Sequence, residues 1–90
     1  MGESVYKVPG GKLFRVQLSI SNGRINSVVI TGDFFLHPED TLEALEKHLE
    51  GHAVNEQSLT EAIRLFLTQR DALFLGASPA DVAKAICMAV

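Results

Sequence analysis

Lys7 and Lys12 flank Pro9-Gly10-Gly11, the stretch of this chain best suited to hold an anion. A glycine pair lets backbone amides come close to a ligand, and two ammonium groups beside it can meet one phosphate or carboxylate. Each contact contributes about 1 kcal/mol in water and several when partly dry. From spacing alone, the same residues read first as a hairpin turn with solvated lysines. No Walker or Rossmann phosphate-loop pattern accompanies them. A second dense group is Gly32-Asp33-Phe34-Phe35, where a carboxylate stands beside two aromatics. Asp33 either caps a turn or recognises a partner, while one phenylalanine fills the core and the other stands exposed as an interface anchor. Spacing does not say which.

The remaining reactive side chains do not assemble into a catalytic set. His48 and His52 lie four apart, the separation of a helical metal pair, but Gly51 intervenes at an expected helix stop and a third ligand is not evident, so no metal is expected. Cys87, the single cysteine, falls on the apolar side of the last helix, where a thiol behaves as a small hydrophobe with a raised pKa. Ser21, Ser27 and Ser58 occupy turn, strand and cap positions. A nucleophile, a base and an orienting group therefore cannot be brought together, and the chain is not expected to be a catalyst by itself.

Two kinds of periodicity must position these groups. Val5-Tyr6-Lys7-Val8 is β-prone, and residues 12–20 alternate with Phe14, Val16, Leu18 and Ile20 on one face. Asn22-Gly23, which tolerates the positive φ of a tight hairpin, separates that run from residues 25–31. Beyond Phe35 the period lengthens. Leu42, Leu45 and Leu49 mark an amphipathic helix with Pro38 in its first turn and Gly51 as its stop. Ser58-Leu59-Thr60-Glu61 reads as the capping box of a second helix, whose apolar face is Leu59, Ala62, Ile63, Phe66 and Leu67, and residues 73–75 read as its extension in preference to a buried connection. Ser78, Pro79 and Asp81 open a third, with Val82, Ala83, Ile86 and Val90 inward. One sheet face and three helical stripes can share a core, which makes residues 1–90 a single α+β domain: an antiparallel meander of two to three strands with about three helices on one face and the other face free.

Composition narrows the partners. Ninety residues exclude a large enzyme, and eleven Asp and Glu against eight Lys and Arg leave a net charge of −3, so nucleic acid is not expected. The charge is split: residues 1–24 hold Lys7, Lys12, Arg15 and Arg24 against Glu3, whereas residues 25–57 hold seven acids against Lys47. The first residues lack a signal-peptide pattern and no 18-residue apolar run occurs, so a cytoplasmic chain without membrane contact is expected.

Taken in order, Lys7-Val8-Pro9-Gly10-Gly11-Lys12-Leu13, the strand at 15–20, Asn22-Gly23-Arg24-Ile25 and Gly32-Asp33-Phe34-Phe35 with Pro38-Glu39 resemble the C-terminal accessory domain of lipoate-protein ligase, a separate polypeptide in some archaea. The likeness continues more weakly to Ile86. It implies a larger catalytic subunit that uses ATP, with Mg, and lipoate to make lipoyl-adenylate and passes the lipoyl group to a lysine of an acceptor protein. The small domain would be needed chiefly for adenylation. The resemblance also implies an α/β fold related to sulfur-acceptor scaffolds of iron-sulfur assembly. A scaffold of that kind is the alternative function, and it would require a reactive thiol. At the motif positions Lys7, Gly10, Gly11, Lys12, Gly32, Asp33, Phe34 and Phe35 the resemblance implies contact with partner or substrate rather than catalysis.

Overall fold

Alternation along the second strand organises the core. The computed structural model describes residues 2–8 and 13–90, and in it Phe14, Val16 and Leu18 of strand β2 (Leu13–Ser21) are buried on one face. Strand β1 (Gly2–Lys7) and strand β3 (Arg24–Gly32) pair antiparallel on either side of it, in the order β1-β2-β3. Asn22 and Gly23, at φ 56° and 75°, form the two-residue turn joining β2 to β3, as the dipeptide predicts. The ladder has one irregularity. A register shift between Ser19 and Ile20 leaves Asn26 of β3 without a partner, which makes the step between the inward Ile25 and Val28 odd, while Ile20 stands opposite Ile25 near the end of the strand and stays 37% exposed.

Helix α1 (Thr41–His48) follows the sheet and packs on β3 through Leu45 and the adjoining Leu49. Pro38 precedes α1 rather than standing in its first turn, and its carbonyl accepts a hydrogen bond from Thr41 N–H (2.9 Å). Gly51, at φ 89°, turns the chain back onto the start of β3, where its N–H donates to the Ile25 carbonyl (2.8 Å) and Ile25 N–H donates to the His52 carbonyl (2.9 Å). Helix α2 (Glu56–Gln69) begins earlier than the Ser58 capping box predicts. Asn55 is its N-cap, and the Asn55 side chain accepts from Ser58 N–H (2.9 Å). Asparagine caps at least as well as serine, and the earlier cap, three residues upstream, gains most of a further turn of helix. Helix α3 (Pro79–Met88) starts as expected, with a reciprocal Ser78–Asp81 capping box and Pro79 first in the helix.

Residues 73–75 do not extend α2. Leu73–Leu75 form a strand that pairs antiparallel with a second short strand, Phe35–His37. In chain order the latter is β4 and the former β5. Asp71, in the left-handed region at φ 53°, ends the helix, and β4 supplies an antiparallel ladder for Leu73, Phe74 and Leu75 that also turns the Phe74 ring in against Phe34.

The described residues thus form an α+β fold of a three-stranded antiparallel meander, a two-stranded ribbon and three helices, in line with the class expected from periodicity. α3 lies over β1 and β2, and α2 packs on α3, sending Leu59, Ile63 and Leu67 into the same core. Small residues permit the close approach of α3 to β1. A side chain at Gly2 would collide with the Ala89 carbonyl, and the buried Ser4 hydroxyl donates to the Ala85 carbonyl (2.6 Å). No helix among the described residues is long and apolar enough to cross a membrane.

Candidate functional site

Lys7 and Leu13, described residues on either side of the first motif, lie with the second motif at one end of the three-stranded sheet. Lys7, exposed at the end of β1, pairs across the ladder with Leu13, and the Leu13 carbonyl accepts a hydrogen bond from Asp33 N–H (3.1 Å). Gly32 is required by this close approach, because a Cβ there would run into the same Leu13 carbonyl oxygen. Gly10, Gly11 and Lys12 lie outside the described residues. Beside the junction, Asp33, Gly32, Leu13, Thr31 and Arg15 line a hollow of about 200 Å³, which places a guanidinium and a carboxylate on one wall system.

Structure separates the roles of the two phenylalanines. Phe34 turns inward, with its ring tilted against Phe14 at 5.0 Å and edge-on to Phe74 at 5.7 Å. Aromatic pairs in these arrangements contribute about 0.5–1.5 kcal/mol beyond the area they bury. Phe35 points the opposite way, stays 51% exposed and stacks on His37, two residues along the same face of β4 (5.9 Å, 4° between ring planes). A groove of about 440 Å³ runs between this ribbon and α1, lined by Ile30, Gly32, Phe34, Phe35, Glu39 and Leu42. The candidate site is therefore a mostly apolar groove with an exposed aromatic at its lip, a form suited to docking more than to bond making. The residues that sequence reasoning passes over are Leu73 and Leu75, which stand opposite His37 and Phe35 on the ribbon. A three-residue strand shows no readable period, so only the pairing reveals them.

Elsewhere the reactive groups have structural work. The Glu46 carboxylate accepts from Ile30 N–H (2.8 Å) at the open edge of β3, and its pKa is raised, chiefly by burial and further by Glu43, against the lowering effect of that hydrogen bond. His48 stacks on Phe66 at 4.7 Å and lies 5.4 Å from His52. Among the described residues, no three His, Cys, Asp or Glu side chains converge to hold a metal. Burial pushes the Cys87 thiol up, and Glu56 adds to the shift, so the thiolate needed for sulfur transfer is disfavoured.

Comparison with known proteins bears on this geometry. The family model for the bacterial lipoate protein ligase C-terminus matches residues 5–86. Lipoate-protein ligase A subunit 2 of Thermoplasma acidophilum is 35% identical over 74 residues, which cover 82% of this chain and 76% of that one. Among solved structures, a chain from an archaeal lipoylation system, a bi-partite lipoate protein ligase with its E2 lipoyl domain from the same organism, matches with a TM-score of 0.79 and 33% identity, over 93% of this chain and 91% of that chain.

Proposed function

Since the chain belongs to the bacterial lipoate protein ligase C-terminus family, we propose that it is the accessory subunit of a two-component lipoate-protein ligase, acting with a separate catalytic subunit. The observation that carries this reading is the match, along nearly all of both chains, to a chain from a bi-partite ligase. In the assembled enzyme, lipoate carboxylate attacks the α-phosphorus of ATP, pyrophosphate leaves, and the acceptor lysine then takes the acyl group from the mixed anhydride as AMP departs. ATP, its Mg and lipoate bind at the assembled ligase; this chain contributes surface. An accessory domain that closes over the site would exclude the water that hydrolyses an acyl-adenylate.

Reconstitution tests the reading. Mixed with its catalytic partner, the chain should form a complex and support lipoate-dependent release of pyrophosphate that neither chain gives alone. Absence of both complex and stimulation would overturn it. If the Lys7–Lys12 segment reaches the ATP phosphates, Lys12→Ala raises the ATP concentration needed for half-maximal rate in the assembled ligase about tenfold, the effect of one lost charge contact of about 1.4 kcal/mol. Unchanged kinetics would leave that segment as scaffold.

A further inference from the structure

We propose that the outer face of the β4–β5 ribbon is the surface on which the catalytic subunit seats, and that the complementary surface is an apolar strip edged by Lys and Arg. The inference rests on the accessory-subunit reading and adds to it where the partner sits and what chemistry it presents.

Register defines the face. Phe35 stands opposite Leu75 and His37 opposite Leu73, so these four side chains project together, while Leu36 and Phe74, opposite one another, project the other way and pack against the core. Phe35, Leu73 and Leu75 are each about half exposed, at 51%, 50% and 52%. Three large apolar side chains side by side form a patch rather than the scattered exposure any surface shows. The ribbon is also held in place beforehand. Phe34 lies between Phe14 and Phe74, and Arg70 Nη2 meets Asp40 Oδ1 at 3.6 Å across the His37–Leu73 end. The groove beside Phe35 continues the patch with a concavity.

Charge around the patch selects the occupant. Asp33 precedes β4, Glu39 and Asp40 follow it, and Asp71 precedes β5, all exposed. Arg70 on Asp40 and Arg15 near Asp33 offset two of these, Arg64 beside Asp71 is already paired with Glu61 at 2.7 Å, and the rim stays acidic at Glu39 and Asp71. A second copy seated by two-fold symmetry would bring this acidic rim against itself, whereas a partner with basic residues around an apolar centre meets it with opposite charge. The free outer face of the three-stranded sheet does not compete. Arg15 and Gln17 of β2 stand between Val5 of β1 and Val29 of β3, which breaks its apolar area.

Binding between the two purified chains is measured by calorimetry for the native chain and for Phe35→Ser, Leu75→Ser, Glu39→Lys and Val29→Ser. The ribbon substitutions should weaken binding at least tenfold, Glu39→Lys severalfold, and Val29→Ser less than twofold, with native binding weakening as salt rises. Hydroxyl-radical footprinting of the native complex reads the same surface without any substitution and should protect residues 35–37 and 73–75. Ribbon variants that bind like the native chain, or protection confined to the outer face of the larger sheet, would overturn the inference and leave the accessory-subunit reading intact. Native chains that do not bind each other would overturn both. If the ribbon variants abolish self-association of this chain and spare the partner, the surface is a homodimer contact and the inference fails.

Discussion

Phe34 and Phe35 are adjacent in sequence and opposite in consequence. Phe34 closes an aromatic cluster with Phe14 and Phe74, so Phe34→Ala should lower stability by about 3 kcal/mol, read from urea unfolding. Phe35→Ala should change stability by less than about 0.5 kcal/mol, because its ring already stands half in water. Glu46 makes a separate test. Its folded pKa lies above the ordinary value of 4.5, so the folded state holds that proton to higher pH than the unfolded chain does. Its contribution is therefore most favourable below pH 4.5 and is lost as pH rises through the folded value. Glu46→Gln keeps an acceptor for Ile30 N–H without the charge. Relative to this variant, the native chain should gain stability on acidification towards pH 4.5, measured as thermal midpoints across a pH series; a constant difference would dismiss the argument. Cys87, with its thiol pKa raised, should react with a thiol reagent more slowly in the folded chain than in the same chain unfolded. Equal rates would reopen the sulfur-transfer alternative.

The helices test how far local grammar reaches. Asn55→Ala should cost about 1 kcal/mol and Ser58→Ala only a few tenths, because Asn55 holds the cap of α2 and Ser58 supplies only the N–H that it binds. The reverse order in unfolding experiments would restore Ser58 as the cap. Much of the fold is legible from sequence where a segment carries its own signal. The alternating Phe14, Val16 and Leu18, the positive-φ turn at Asn22-Gly23 and the Ser78–Asp81 box all lie where local chemistry puts them. The misreadings occur where a distant partner decides. Asn26 is left unmatched in β3 by the register of its pairing with β2, and residues 73–75 become strand because β4, on the far side of two helices, offers a ladder. The candidate site is legible to the same degree. Gly32 and the Phe34-Phe35 pair mark its position, but which ring faces out and which leucines join it are settled by tertiary pairing.

For the molecule as a whole, a single core leaves two surfaces of different character, a mixed polar sheet face and an apolar ribbon with an acidic rim. Lys7 and Gly32 lie at the sheet end from which the chain enters that ribbon, so contacts to a ligand and contacts to a protein can be made from one side of the domain. The ribbon's two strands bracket α1 and α2 in the chain. Their pairing closes a long loop for only three facing pairs, an entropic cost that the docking of α1 and α2 between them reduces. The apolar landing area therefore leans on the helices between its strands, and a copy in which they have not docked displays it less. Competence to associate would then serve as a check that maturation has finished, and immature copies would be left out of the enzyme.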